Sequence, residues 1–162
     1  MDKNIIPLEK YKELMATSPI CTVDVLFFTP DLKRTLLFLR TSAPAKGFYF
    51  SMGGGLLKNE TFLECAKRQV QKETGLDINE NKLVQGSVME EIWPDSKFEG
   101  INYHAVNIYY AYILEGEERI TMDDQHSDYA WFSVGDPTLH PGVKEKIDRL
   151  VQTLTVANNI TQ

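Results

Sequence analysis

The run Gly53-Gly54-Gly55 is followed by Glu60, Arg68, Gln69, Lys72 and Glu73, and the segment closes on Gly75-Leu76. This layout suits the handling of a phosphorylated ligand. Glycines lack a Cβ, so their backbone groups can approach a ligand closely and take positive φ where a turn needs it. On a helix, Gln69 and Glu73 share one face, and Arg68 and Lys72 share the neighbouring one. A hard cation such as Mg²⁺ takes oxygen ligands and commonly keeps substrate phosphate oxygens among them. Glu73 can therefore meet a metal held near the glycines, with Gln69 adding a neutral oxygen. Lys72 cannot ligate as a cation; it touches a phosphate or is solvated. Glu60 is expected to brace the loop rather than take part in chemistry.

A second constellation is Asp123-Asp124-Gln125-His126, read as a polar loop ahead of a strand containing Tyr129 and Trp131. An imidazole titrates near ~6.5 and suits general acid–base work. A lone loop histidine is more often a surface residue, and by itself His126 carries little. Gln125 could offer a side-chain oxygen to a metal. His104 and His140 are expected to be structural or surface residues.

These groups need a scaffold. Apolar spacing over Pro7–Met15 predicts a short amphipathic helix that ends before Ser18-Pro19. Ile20–Phe28 and Thr35–Arg40 read as strands, and Phe48–Met52 as a short strand leading into a glycine loop. Thr61–Thr74 reads as a helix with Phe62, Cys65, Ala66, Val70 and Gln69 along its inner side, ended by Gly75. Asp77–Asn81 is a polar loop, Lys82–Trp93 and Ile101–Leu114 are long strands, and Tyr129–Phe132 is a last strand. Val143–Leu154 closes the chain as a helix with Val143, Ile147, Leu150, Val151 and Leu154 inward, before a fraying tail from Ala157 to Gln162. Strands and helices mixed in this way predict an α/β sandwich with a mixed sheet.

At 162 residues the chain is expected to be a single domain, 1–162. A net charge of −6 argues against a general nucleic-acid or anionic-membrane binder, since such partners reward clustered Lys and Arg. It leaves room for a nucleotide ligand neutralised locally by Mg²⁺ and a few arginines. No apolar run reaches the ~20 residues of a membrane helix, and the first residues do not read as a secretory signal. Cys21 and Cys65 suggest reduced thiols, and with them a cytoplasmic protein.

The glycine–helix segment resembles the Nudix box, G-x5-E-x7-R-E-U-x-E-E-x-G-U with U aliphatic. Gly54, Glu60, Arg68, Val70, Glu73, Gly75 and Leu76 fall on its fixed positions, so the box spans 54–76. Gln69 and Lys72 stand where it has glutamates. The resemblance implies a Nudix-type α/β/α sandwich with a mixed central sheet. Within that superfamily the chain resembles the GDP-mannose mannosyl hydrolase branch along nearly its whole length. That branch shares the thinned box and the Gln-His pair before a Tyr-x-Trp strand, here Gln125, His126, Tyr129 and Trp131. Ser18-Pro19 with Thr22-Val23-Asp24, and Leu39-Arg40-Thr41 with Pro44–Phe50, resemble its first strands.

The resemblance implies attack of water on the anomeric carbon of a nucleoside diphosphate sugar, giving the nucleoside diphosphate and free hexose with inversion. It implies Mg²⁺, or Mn²⁺, held by the Gly53 carbonyl, Glu73 and Gln125. His126 would be the general base. Arg40 and Arg68 would assist the leaving group or the site's architecture, and Asp24 and Tyr129, with Arg40, would line the sugar or nucleotide site. A homodimer is also implied. The chain departs from the branch at Gly55, where an arginine is usual, at Glu91, near the place of a histidine, and at Ala105, where a tyrosine is expected. Two other readings stay open: a pyrophosphohydrolase attacking phosphorus of an NTP or nucleoside diphosphate derivative, and a catalytically silent nucleotide-binding module.

Overall fold

Nine consecutive residues of the first strand, β1 (Ile20–Phe28), run parallel to β6 (Tyr103–Ile113), with Ile20 opposite Ala105 and Phe28 opposite Ile113. This pairing is the spine of the molecule. The computed structural model describes residues 5–122 and 126–160. Ahead of the spine lies helix α1 (Leu8–Thr17). After β1 come β2 (Arg34–Arg40), β3 (Tyr49–Phe50), β4 (Met52–Gly55) and helix α2 (Phe62–Thr74). A 3-10 turn at Glu80–Lys82 leads to β5 (Val84–Trp93), then β6, β7 (His126–Ser133) and helix α3 (Pro141–Ile160).

The sheet order is β3-β2-β1-β6-β5, with β7 on β2 and β4 on β1. All pairings except β1–β6 are antiparallel, so the sheet is mixed, as the sequence predicts. β1 divides its free edge: Thr22–Val25 pair with β4, and Phe27–Phe28 pair with β2. Alternation along β1 assigns the two faces. Val23, Val25 and Phe27 pack with Cys65, Ala66 and Val70 of α2. Leu26 and Phe28 pack with Val143, Ile147, Leu150 and Leu154 of α3. The result is the α/β/α sandwich, with α1 resting through Met15 on Ile20 and Ala105 at one end of the spine.

Several local readings change. Phe48–Met52 is not one strand: Tyr49–Phe50 joins β2, whereas Met52 and the three glycines form β4 against β1. The glycines are thus extended backbone in the sheet rather than a free loop. Phe62 is 41% exposed instead of inward, since it stands in the first turn of α2 beyond the edge of the core. α3 continues as helix to Ile160, so the tail from Ala157 does not fray within the described residues. α2 is fixed at both ends. Thr61 and Glu64 form a reciprocal capping box, and Gly75 takes a left-handed φ of 72° at the C-cap.

Candidate active site

α2 is delivered to the glycine strand by a brace between Glu60 and Arg68. The Arg68 Nε donates to Glu60 Oε1 at 2.5 Å, and its Nη2 donates to Glu60 Oε2 at 2.9 Å and to the Gly55 carbonyl at 3.0 Å. Glu60 also accepts from the Leu57 amide at 3.0 Å. Burial pushes the Glu60 carboxyl up, but the Arg68 and Leu57 hydrogen bonds outweigh it and hold the group below its ordinary value. Glu60 therefore has the bracing role the sequence assigns it, and Arg68 serves the architecture of the loop.

Gly54 owes its identity to α2. A Cβ there would run into the side-chain amide of Gln69. That amide is buried, and in the orientation that satisfies both of its ends it donates to Glu73 Oε1 at 3.3 Å and accepts from Arg68 Nη1 at 3.1 Å. The expectation that Gln69 lends a neutral oxygen to a metal is thereby revised. Its oxygen is taken by Arg68, and its nitrogen steadies the Glu73 carboxylate. Glu73 is 1% exposed, a carboxylate carried into the interior beneath the glycine strand.

Two hollows meet at β4. The first, of about 290 Å³, lies on the α3 side of the sheet and includes Asp24, Arg40, Ser51, Glu91, Trp93 and Tyr103 among its walls. The second is a wider cleft of about 770 Å³ against the box helix, bounded by Arg68, Gln69 and Lys72. Gly53–Gly55, Tyr11 and Lys97 line both. Lys97, on the β5–β6 connection, holds its ammonium 4.4 Å from the Tyr11 ring centroid. Burial, and then the like charge of Lys72, depress its pKa. A ligand with a phosphorylated middle and a compact head can therefore lie across the glycines, with cations on the cleft side and the head in the smaller hollow.

The floor of that hollow is an ion triad. Lys146 of α3 is wholly buried, with Nζ 3.0 Å from Asp24 Oδ2 and 2.5 Å from Glu91 Oε1. Ser51 Oγ donates to the same Asp24 oxygen at 2.6 Å. Burial pulls the Lys146 ammonium down, but the two carboxylates outweigh it and raise its pKa. Burial raises Glu91, against the pull of Lys146. Tyr103 is pushed well above its ordinary range by burial and then by Asp24 and Glu91, so it stays a neutral hydroxyl. Phe50, Trp93 and His140 form an aromatic wall, with ring centroids 4.9 to 5.8 Å apart.

Against this geometry, a family model described as the NUDIX domain matches residues 20–154. The chain belongs to the NUDIX family. It is 30% identical over 147 residues to the low-salt glycan biosynthesis protein Agl8 of Haloferax volcanii, covering 90% of each chain. It is also 30% identical over 121 residues to a dihydroneopterin triphosphate diphosphatase of Haemophilus influenzae, covering 69% of this chain and 73% of that one. Among solved structures, the NUDIX domain of Shewanella oneidensis NrtR, crystallised with ADP ribose, superposes with a TM-score of 0.67. That match has 17% identity over 92% of this chain and 99% of the other, a likeness of fold.

The NUDIX scaffold thus gathers Asp24, Arg40 and Gly53 around one hollow, with Arg68 and Glu73 on the other side of β4. Arg40 is held by its Nε donating to the Pro44 carbonyl at 2.7 Å. Tyr129 stands apart from the Asp24 hollow: its ring packs 6.2 Å from Phe38, on the α2 face. His126 is not in a loop before the last strand. It is the first residue of β7, in register opposite Arg40. Gln125 and the His126 side chain lie outside what is described. His104 pairs with Glu90 at 3.0 Å and His140 packs in the aromatic wall, both structural places.

For a divalent metal, the residues present fit. Among the described residues no three His, Cys, Asp or Glu side chains gather as a ready cage. The donors beneath β4 are instead the Glu73 carboxylate and backbone carbonyls of the glycine strand, hard oxygens of the kind Mg²⁺ accepts while retaining substrate phosphate oxygens.

Three residues at the two hollows escape the motif reading: Lys97, Lys146 and Ser51. The signal for Lys146 was present, because it falls on the helical stripe Val143–Lys146–Ile147–Leu150, and a lysine on a buried stripe requires a buried carboxylate. Lys97 carried no such mark.

Proposed function

We propose that the chain hydrolyses a nucleoside diphosphate sugar of the GDP-mannose type, with Mg²⁺ or Mn²⁺, to the nucleoside diphosphate and free hexose by attack at the anomeric carbon. The observation that carries this reading is the pair of hollows joined at Gly53–Gly55. One has cations suited to a diphosphate. The other is compact, walled by aromatic rings and floored by acceptors, as a glycosyl group requires. Similarity to a protein named for glycan biosynthesis supports the same substrate class.

In this reading Glu73, the Gly53 carbonyl and Gln125 hold the metal, which when bound supplies Lewis-acid stabilisation of the departing diphosphate. Lys72, Lys97 and Arg40 add positive charge at the diphosphate, which offsets the arginine missing at Gly55. Arg68 keeps the loop in place. Asp24 orients the sugar, and His126, set opposite Arg40 at the start of β7, removes the proton from the attacking water. Tyr129 belongs to the nucleotide end of the site. A homodimer is part of the same reading; exposed Val88, Ile92 and Val106 on edge strand β5 and its neighbour β6 support it, and light scattering tests it.

Hydrolysis in ¹⁸O-labelled water decides between this and attack at phosphorus, which similarity to a triphosphate diphosphatase favours. Label in the hexose is expected. Label in a phosphate product would replace this reading with a pyrophosphohydrolase, and binding without turnover would replace it with a silent module.

A further inference from the structure

The charges around the smaller hollow are sorted by depth, and the sorting has a chemical meaning. Lys97 stands where the hollow opens toward Gly53–Gly55 and the box helix, and Arg40 lines the smaller hollow itself, within electrostatic reach of Glu91. The floor carries two carboxylates, Asp24 and Glu91, on a single ammonium, Lys146. Lys146 is wholly buried, and the Asp24 and Glu91 side chains retain 14% and 11% exposure. The lone pairs not spent on Lys146 therefore belong to the carboxylates that line the hollow, so the floor sets two carboxylates against a single buried ammonium. Each of the three is fixed from a different element, β1, β5 and α3, so the acceptors are held in place before any ligand arrives.

We infer that Glu91, aimed by Lys146, is a specificity-determining residue: the floor admits a head group that is uncharged and bears hydroxyls, or that carries an amine, and it rejects a head group that carries a carboxylate. The inference rests on the proposed nucleotide-sugar reading and narrows it to neutral and amino sugars as against uronates. Hydroxyl groups can donate to Glu91 and Asp24 while a sugar face lies against Trp93 and Phe50. A uronate would bring a third carboxylate to a floor with one ammonium, and like charges brought together out of water strongly disfavour a partner. The anionic part of the ligand is directed to the glycines and the cleft instead, where Lys97 and Lys72 stand. Glu91→Gln keeps the shape of the floor and leaves Lys146 and Asp24 as a one-to-one pair, so it removes the surplus charge without stranding a buried one.

The test is equilibrium binding by titration calorimetry, in EDTA where turnover is absent and again in Mg²⁺. The probes are matched pairs, UDP-glucose with UDP-glucuronate and GDP-mannose with GDP-mannuronate. The wild-type protein is expected to bind the neutral member at least about 10-fold tighter, and Glu91→Gln to narrow that ratio to about 3-fold or less by gaining affinity for the uronate. Equal binding of both members by wild-type protein overturns the inference, as does an unchanged ratio in a folded Glu91→Gln variant. Should that variant fail to fold, the wild-type ratio decides alone. If no nucleotide sugar binds in either form, the functional reading falls and this inference with it. That result differs from failure of the inference alone, in which both sugars bind and bind equally.

Discussion

Lys146 and Asp24 meet at 3.0 Å, one from the last helix and the other from the first strand, with the lysine side chain wholly out of water. Breaking a buried pair by removing one partner is far costlier than the pair's net contribution, because the remaining charge is stranded. Lys146→Met strands two carboxylates and is expected to destabilise the fold by about 3–5 kcal/mol, read from urea unfolding. The pH sign follows from the raised ammonium pKa. The contribution is fully present below the ordinary lysine value of 10.5 and is lost as pH rises through the higher folded value. Wild-type stability should therefore fall on the alkaline side by more than that of Lys146→Met.

At the acid end the Glu60–Arg68 brace sets the behaviour. The folded Glu60 carboxyl titrates below its ordinary value of 4.5, so the stability it contributes is present above 4.5 and is lost as pH falls through the lower folded value. Glu60→Gln should lose part of the stability near neutrality and flatten the acid limb of a melting-temperature profile. An acid limb as steep as that of the wild type would show that other carboxylates control it.

How much of this was readable beforehand varies with the kind of residue. β1, β2, β5, β6 and α2 follow from local apolar patterning, and those elements form close to where the pattern places them. Glu60 and Gly54 were readable from spacing, since the box fixes their offsets from the helix that they brace. The glycine strand was not. Nothing local in Met52-Gly53-Gly54-Gly55 favours extended pairing, which comes from β1 across the sheet. The Asp24–Lys146–Glu91 triad was equally hidden, because its partners lie on three elements remote in sequence. The two carboxylates were singled out, Asp24 by resemblance and Glu91 as a departure, but the ammonium between them was not.

The thiols separate by environment. Cys65 is wholly buried beneath the glycine strand, and burial, followed by the Glu60 charge, pushes its pKa up to about 12. Cys21 is only partly buried. Since the thiolate is the nucleophile, Cys65 should be inert to a thiol reagent at neutral pH while the chain is folded. Labelling with DTNB is expected to modify Cys21 alone in the native protein and both cysteines in denaturant. Fast labelling of Cys65 in the folded protein would show that α2 and β4 open readily.

Gly54 offers a test of how α2 is seated. An added Cβ meets the Gln69 amide, a flexible side-chain end rather than backbone, so Gly54→Ala should be tolerated at a cost of about 1–3 kcal/mol while it displaces Gln69 from Glu73. Gly54→Ala with Gln69→Ala should recover most of the lost melting temperature. Failure of the double variant to recover would mean that the close approach of β4 to α2 involves more than this one amide.

The division of labour between Glu73 and His126 gives the most direct check on the proposed chemistry. A general base contributes roughly 10²–10⁴-fold to turnover, so His126→Leu should lower kcat by about that factor. Its Mg²⁺ affinity, followed by titration in the presence of nucleoside diphosphate, should stay close to wild type. Glu73→Gln keeps the shape beneath the glycine strand but removes the buried negative charge, so it should weaken metal binding first and turnover as a consequence. Raising the Mg²⁺ concentration should then recover activity in Glu73→Gln and leave His126→Leu unchanged. If His126→Leu retains full turnover, the base is another group, and the side chains of the smaller hollow, Asp24 and Glu91, are the next to test.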